Sequence, residues 1–239
     1  MLLVLTLLAG LLGAAAGLLL PRPAHRLSVE PEEPWRATAP DGAPLTGWIG
    51  PARTAHRGWY GPSTPVTVTV TALLCAALAL SAGPVPELCV WLLIAPVLVL
   101  LALVDRAVKR LPDVLTLPLA AATAALLGLA ALIPGARGSW IHALLGACAL
   151  GGGYYVLFLV NPRGMGFGDV KLATSLGLAL GWYGWGVLML GALAGFVYSS
   201  LYGISLVAMG RATLKTALPF GPFMVAGACT GLLLGGFGA

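Results

Sequence analysis

Charge is scarce in this sequence, and cysteines in closely spaced pairs are absent. Of the 239 residues only 9% are charged, whereas 59% are hydrophobic and the mean hydropathy is +0.96. About a quarter of the residues of an ordinary soluble domain are charged. This composition therefore excludes a soluble globular domain and predicts an integral membrane protein. The basic excess forms no basic and aromatic patch, so we expect no nucleic-acid partner.

The cysteine pattern excludes two further classes of site. A disulfide framework or a zinc site needs cysteines at characteristic spacings. Each cysteine here stands alone inside an apolar run, at Cys75, Cys89, Cys148 and Cys229. We therefore interpret them as small apolar side chains and predict no metal site.

Eight apolar runs divide the chain. A transmembrane helix needs about 20 mostly apolar residues, and only the sixth run is clearly shorter than that. The runs cover residues 2–20, 65–83, 88–104, 114–133, 139–160, 170–182, 184–208 and 217–237. This pattern predicts an all-α polytopic membrane protein with about eight transmembrane helices.

The basic residues indicate the orientation of these helices. Lys and Arg concentrate in cytoplasmic loops. Every Lys and Arg except Arg137 falls in alternate loops, namely 21–64, 105–113, 161–171 and 209–216. We therefore expect these loops to be cytoplasmic and both termini to lie outside.

Two regions differ in composition. Residues 1–64 hold the first transmembrane helix and a Pro- and Gly-rich cytoplasmic loop, and residues 65–239 form a membrane-embedded domain. Because apolar residues in loop 21–64 are few and scattered, we expect an irregular segment lying along the surface. Its acidic residues Glu30, Glu32 and Glu33 are interpreted either as a solvated stretch or as an attraction for a basic ligand.

Three aspartates border apolar runs on the predicted cytoplasmic side. Asp105 ends the third run and Asp169 opens the sixth, whereas Asp113 follows Pro112 at a position typical of a helix N-cap. Ionisable groups at the depth of Asp105 and Asp169 usually mark a functional site. Two carboxyls brought close together share one proton, which is the arrangement used in aspartic proteolysis. We therefore predict that Asp105 and Asp169 form a catalytic pair.

Alternating glycines precede Asp169, at Gly164, Gly166 and Gly168. Glycine allows unusual backbone conformations and close approach of a second chain. We expect a strand-like turn that could pair with an extended peptide.

Three motifs resemble those of the bacterial type IV prepilin peptidases, a family of GxGD-class intramembrane aspartic proteases. Residues 166–169 read Gly-Phe-Gly-Asp, which is the GxGD motif, and are followed by Val-Lys. Residues 105–119 resemble the family's segment that carries the other catalytic aspartate. Residues 218–228 resemble the Pro-Phe-Gly-Pro-Phe segment of the family's last helix. The resemblance covers roughly residues 86–237.

This resemblance implies an aspartic endopeptidase in the bacterial cytoplasmic membrane with Asp105 and Asp169 as its catalytic residues. It implies prepilin or pseudopilin precursors as substrates, cleaved on the cytoplasmic side without a cofactor. Support of the substrate and of the loops around the pair is assigned to Gly166, Gly168, Lys171, Pro112 and Asp113.

The sequence departs from the longer members of the family in loop 21–64. Their first cytoplasmic loop carries paired CxxC zinc ligands, whereas this loop has no cysteine. A structural zinc is therefore not expected. S-adenosylmethionine is expected only if the N-methyltransferase activity of many members is also present.

Two other classes of protein use intramembrane aspartates or the same scaffold. A proton-coupled small-molecule transporter would place such residues in a proton relay, but we find no inverted repeat between the two halves of the chain. A secretion component without catalysis would not need both aspartates.

Overall fold

Helices account for most of the computed structural model, which describes residues 1–30, 32–54, 58–162, 164–213 and 216–236. The predicted all-α polytopic fold is confirmed. The helices are α1 Leu2–Leu19, α2 Pro21–Leu27, α3 Thr64–Ala82, α4 Glu87–Val108, α5 Asp113–Ala130, α6 Trp140–Val160, α7 Phe167–Gly181, α8 Trp185–Ala208 and α9 Gly221–Gly231, which continues into a π-helical turn over Leu232–Gly236. Two short antiparallel strands, β1 Arg53–Thr54 and β2 Gly58–Trp59, form a hairpin.

Each of the eight apolar runs of the sequence corresponds to one helix in the structure. Helix α2 matches no run and lies in the loop over residues 21–64. Within the described ranges, six helices are long and apolar enough to cross a membrane, namely α1, α3, α4, α5, α6 and α8. The remaining two, α7 and α9, are shorter. The orientation of the termini stays a prediction, and Arg57, Arg163 and Lys215, on which it partly depends, lie outside the described residues.

Glycine contacts hold neighbouring helices close together. A Cβ atom added to Gly13 of α1 would lie 2.5 Å from the carbonyl oxygen of Thr71 in α3. A Cβ atom added to Gly146 of α6 would lie 2.5 Å from the carbonyl oxygen of Gly177 in α7. Small residues at such crossings let backbones approach, which is how helices associate in a bilayer where burial of apolar surface gives little driving force.

Two helix ends differ from the boundaries of the apolar runs. Helix α4 continues past Asp105 to Val108, and α7 already begins at Phe167, so that Asp169 lies inside its first turn. The expected strand-like turn through Gly168 is therefore wrong at that residue, which is helical. Hydropathy marks where a helix meets lipid, whereas the helix itself continues for as long as its backbone hydrogen bonds do.

A buried polar cluster links the start of α4 to the turn between α7 and α8. Glu87, which lies between the second and third apolar runs of the sequence, is the first residue of α4 and is fully buried. Its Oε1 accepts hydrogen bonds from the Arg137 backbone N–H at 3.1 Å and the Tyr183 hydroxyl at 3.4 Å. The indole N–H of Trp91 donates to the same hydroxyl at 3.0 Å. These bonds fix α4 against α7 at the end of the bundle opposite Asp105.

The expectation of an irregular loop over residues 21–64 is only partly correct. The segment contains α2 and the hairpin, and Ala39, Ala52 and Tyr60 form a small buried cluster. Two arginines of α2 hold its backbone. The Arg22 guanidinium donates to the carbonyl oxygens of residues 46, 49 and 51, and Arg26 Nη2 donates to that of residue 45 at 2.8 Å. The loop is thus organised by arginine–carbonyl hydrogen bonds rather than by a large apolar core.

Candidate active site

Asp105 lies near the end of α4, where its side chain is 4% exposed. Its Oδ2 accepts a hydrogen bond of 2.8 Å from the backbone N–H of Gly221, the first residue of α9. The free N–H groups at a helix N-terminus favour a negative charge. The start of α9 therefore holds one oxygen of this carboxylate in place.

Gly221 is the residue that allows this approach. A Cβ atom at this position would lie 2.9 Å from Asp105 Oδ2 and 3.2 Å from its Cγ. Real Cβ contacts are essentially never shorter than 3.0 Å, so any side chain here would move the carboxylate or α9.

Asp169 is the third residue of α7 and is 8% exposed. Its Oδ2 accepts a hydrogen bond of 3.1 Å from the backbone N–H of Gly166, the N-cap residue of the helix. An acid at the third position commonly reaches back to the N-cap in this way. The motif over residues 166–169 thus fixes its own aspartate locally, while α4 and α9 together fix Asp105.

The two buried carboxylates line one pocket of about 220 Å³ and interact electrostatically with each other. A water molecule occupies about 30 Å³ in the liquid, so the pocket has room for several. The lining comes from the end of α4, the α4–α5 connection and the starts of α5 and α7. It consists of Asp105, Lys109, Arg110, Leu111, Asp113, Gly166, Phe167, Gly168, Asp169 and Lys171.

Asp113 faces the same pocket in a different environment. It is the first residue of α5 and follows Pro112, which occupies the N-cap position itself. The predicted N-cap role of Asp113 is therefore wrong. Its side chain is 62% exposed and pairs with Lys171 Nζ at 2.6 Å, a contact that joins the starts of α5 and α7. Asp113 therefore differs from the buried Asp105 and Asp169, because its carboxylate is exposed to solvent and has a counterion.

The short connection between α4 and α5 packs against the first turn of α7. A Cβ atom on Gly168 would lie 2.8 Å from the Cβ of Leu111, so glycine is needed at this crossing. Lys109 ends α4 in the left-handed region with φ of 52°, and its N–H donates to the Asp105 carbonyl at 2.7 Å. Such a conformation is uncommon for a residue with a side chain. The connection thus turns sharply directly after Asp105.

Two residues near the pocket carry no clear signal in the sequence. Gly221 lies within the segment 218–228, but nothing there indicates that its N–H binds Asp105. Tyr154 is one of several aromatic residues in an apolar run, yet it is 4% exposed and interacts electrostatically with Asp169. Both are brought to the site by helix packing between distant parts of the chain.

The described residues contain no group of three or more His, Cys, Asp or Glu side chains placed to hold a metal ion. The pocket offers two buried carboxylates and backbone N–H donors, and its lining also holds the charged side chains of two lysines, one arginine and Asp113.

Comparison with known proteins agrees with the motifs. The sequence model of the type IV leader peptidase family matches residues 92–237, a segment that contains the whole pocket. A protein of Aeromonas hydrophila named prepilin leader peptidase/N-methyltransferase is 33% identical over 83% of this chain and 68% of its own length. One of the same name from Pseudomonas aeruginosa is 30% identical over 90% of this chain and 70% of its own length. No solved structure shows significant similarity to the chain.

The family match covers more than half of the chain, and both relatives align over most of their own length. This chain belongs to the type IV leader peptidase family.

Proposed function

We propose that this protein is a prepilin leader peptidase that uses Asp105 and Asp169 as its catalytic pair. The substrate is a prepilin or pseudopilin precursor, and the bond cut joins its short basic leader to the apolar helix that follows. The observation that carries the proposal is the burial of both carboxylates in one pocket, at the ends of two helices far apart in sequence.

The chemistry needs no other nucleophile. One carboxylate accepts a proton from a water molecule, whose oxygen then bonds to the carbonyl carbon of the scissile peptide. The protonated partner donates a hydrogen bond to the carbonyl oxygen, which becomes the hydroxyl of a tetrahedral intermediate. When this intermediate collapses, the C–N bond breaks, the amine leaves with a proton, and the pair returns to its singly protonated state.

The position of the pair supports a peptidase over a transporter. Asp105 lies four residues before the start of the α4–α5 connection, and Asp169 lies in the first turn of α7. Transporters bind their substrates near the bilayer midplane, whereas both aspartates here lie at helix ends. The distribution of basic residues supports a cytoplasmic position for that end, in a bacterial cytoplasmic membrane, with both termini outside.

The supporting residues of the site have roles that their contacts suggest. Gly166 holds Asp169 through its N–H, and Gly168 admits Leu111. Lys171 and Asp113 join two helix starts, and Pro112 begins α5 with φ of −70°. We assign the catalytic unit to residues 65–239 and a loop-anchoring role to residues 1–64.

The proposal covers proteolysis and not methylation. The names of both relatives include an N-methyltransferase activity, which would use S-adenosylmethionine. No step above uses this cofactor.

Co-expression with a prepilin tests the proposal. Asp105→Asn and Asp169→Asn each remove the ionisable carboxyl while preserving size, so each should abolish the gel shift from precursor to mature pilin. Asp113→Asn is the matched control, because an exposed ion pair contributes about 0–1 kcal/mol and its loss should leave most processing intact.

The amount of each variant in the membrane and its melting temperature in detergent are measured in parallel. Processing that persists without Asp169, or an unprocessed precursor beside the folded wild-type protein, would contradict the proposed function.

A further inference from the structure

An apolar groove lies between α1, α2, α4, α5 and the loop over residues 21–64. It measures about 420 Å³, and every residue that lines it is apolar. Its walls include Leu19, Leu27, Trp48, Leu100 and Val114.

This groove adjoins the pocket of the two aspartates along two helices. On α5, Val114 of the groove directly follows Asp113 of the pocket. On α4, Leu100 of the groove precedes Asp105 by five residues, or about 7.5 Å along the helix axis. The groove therefore continues from the pocket toward the middle of the bundle.

A short loop forms one edge of the groove. Both of its ends, Leu27 and Trp35, line the groove. The loop is closed at its base, where the N–H of Arg36 donates to the carbonyl oxygen of Arg26 at 3.1 Å. The residues between Leu27 and Trp35 therefore project from the groove wall as a small tip.

The tip is acidic and reaches the pocket. It carries Glu30, Glu32 and Glu33, all of them exposed, and we call these three residues the acidic tip. The backbone carbonyl of Glu30 accepts a hydrogen bond of 3.0 Å from Nη1 of Arg110, which lines the pocket of the aspartates. The acidic tip thus adjoins both the groove and the pocket.

The pocket itself would repel a basic peptide segment. Its lining holds the cations Lys109, Arg110 and Lys171, and its one exposed acid, Asp113, already pairs with Lys171. The side chains of the acidic tip form no ion pair with any residue in the part of the chain that the structure describes. Their negative charge is therefore available to a partner beside the pocket.

We propose that the groove and the acidic tip together form the docking surface of the precursor, with the start of its apolar helix in the groove and its basic leader against the tip. The inference rests on the proposed function, which supplies a substrate with a basic segment directly before an apolar one. Groove, tip and pocket adjoin one another, so one precursor can contact all three while its scissile bond lies at the aspartates. The three carboxylates favour this cationic partner over the phosphate of a lipid, the other molecule that an apolar groove could hold.

The charge of the tip is tested with the combined variant Glu30→Gln, Glu32→Gln and Glu33→Gln. Two precursors are cleaved, one with its basic leader and one in which the Lys and Arg of the leader are replaced by Gln. One exposed ion pair changes an equilibrium constant by up to about fivefold, so the loss of three should raise KM for the basic precursor by about 5- to 30-fold. We expect kcat to stay within about twofold, because no substituted residue lines the pocket. With the neutral leader, the variant and the wild type should have equal KM.

Asp41→Asn is the control for the tip. It removes a negative charge elsewhere in the same loop, and asparagine can still accept the hydrogen bond that Asp41 Oδ1 receives from the Ala43 N–H. Its KM for both precursors should equal that of the wild type. Melting temperatures in detergent should be the same for all of these proteins.

The groove is tested with Ile49→Ser. Ile49 lines the groove and is 62% exposed, so its loss should leave the fold intact. Loss of part of an apolar contact should raise KM by about 3- to 10-fold for both precursors alike. Ile133→Ser is the matched control, because Ile133 is 52% exposed in the connection between α5 and α6 and does not line the groove.

The docking surface is refuted if the basic precursor is cleaved with wild-type KM by the variant of the acidic tip, or if that variant raises KM equally for both leaders. A phospholipid that stays bound to the purified wild-type protein and is lost from Ile49→Ser, with KM unchanged, would also overturn it, because the groove would then hold lipid. In each of these cases the wild-type protein still cleaves. A wild-type protein that leaves the basic precursor uncut contradicts the proposed function itself.

Discussion

Replacing Gly221 by alanine should slow the reaction by displacing the carboxylate of Asp105. The added methyl carbon would lie 2.9 Å from Asp105 Oδ2 and 3.3 Å from its Cβ. Gly221 does not have a positive φ, so alanine fits the backbone there. The three atoms nearest to the added carbon all belong to Asp105, so we expect its carboxylate to move away from the Gly221 N–H.

The size of the effect follows from the hydrogen bond that is lost. A hydrogen bond to a charged group contributes about 1.5–3 kcal/mol, and each 1.36 kcal/mol of barrier is tenfold in rate. If the 2.8 Å bond from Gly221 holds the carboxylate in its reactive position, its loss should lower kcat about 10- to 150-fold. Misplacement relative to Asp169 adds to this loss.

The control is Gly153→Ala, the same change at a helical glycine where an added Cβ meets no atom within 4 Å. Alanine favours helix over glycine by about 1 kcal/mol, so this variant should be at least as stable as wild type and fully active. Prepilin cleavage by the purified variants gives kcat, and thermal unfolding in detergent reports the fold. Wild-type cleavage by Gly221→Ala would show that the position of the Asp105 carboxylate does not limit the reaction, and the reasoning would be refuted.

Two further predictions concern stability. Gly146→Ala should lower the free energy of unfolding by about 1–3 kcal/mol, as overpacking of a tight contact does, because the added Cβ would lie 2.5 Å from the Gly177 carbonyl oxygen. The control Gly152→Ala has open space around its Cβ and should leave the stability unchanged. Equal melting temperatures of the two variants would contradict the prediction. Arg22→Lys should speed proteolytic cutting within residues 28–63, because a lysine cannot reach three carbonyls at once; cutting at the wild-type rate would show that the loop does not depend on Arg22.

The helices were predictable because a bilayer imposes a strong pattern. A run of apolar residues of bilayer length has few alternatives to a spanning helix, and every such run is one helix in the structure. The loop over residues 21–64 lacked any comparable signal. Its order depends on Arg22 and Arg26 reaching backbone carbonyls, and the sequence of a loop does not reveal which carbonyls an arginine meets.

The acids of the site were predictable to different degrees. Asp105 and Asp169 stand out because each adjoins an apolar run, where an ionisable group is costly. Asp113 follows a proline and looks like a helix cap, but Pro112 already has the extended backbone that an N-cap needs, with ψ of 135°. The partner of Asp113 is Lys171, 58 residues away, and the partner of Asp105 is Gly221, 116 residues away. Such pairs arise from tertiary packing and have no local signature.

The unusual shortness of α7 has a consequence for how a membrane-embedded peptide could reach water. At 1.5 Å per residue, its 15 residues span about 22 Å, against a hydrocarbon core of about 30 Å. Its neighbour α6 has 21 residues and spans about 32 Å. If the ends of α6 and α7 near Trp182 lie at one membrane surface, the start of α7 stops about 8 Å short of the other surface.

Asp169 lies at that recessed start, and Asp105 lies 18 residues into α4, about 27 Å from its beginning. With the helix ends placed in this way, we expect both carboxylates to lie slightly below the membrane surface, in the pocket that Lys109, Arg110 and Lys171 also line. A bond at the junction between a polar leader and an apolar helix occupies this same depth when the substrate spans the bilayer. We therefore propose that the short helix α7 places the aspartates at the depth at which the membrane itself would hold such a bond.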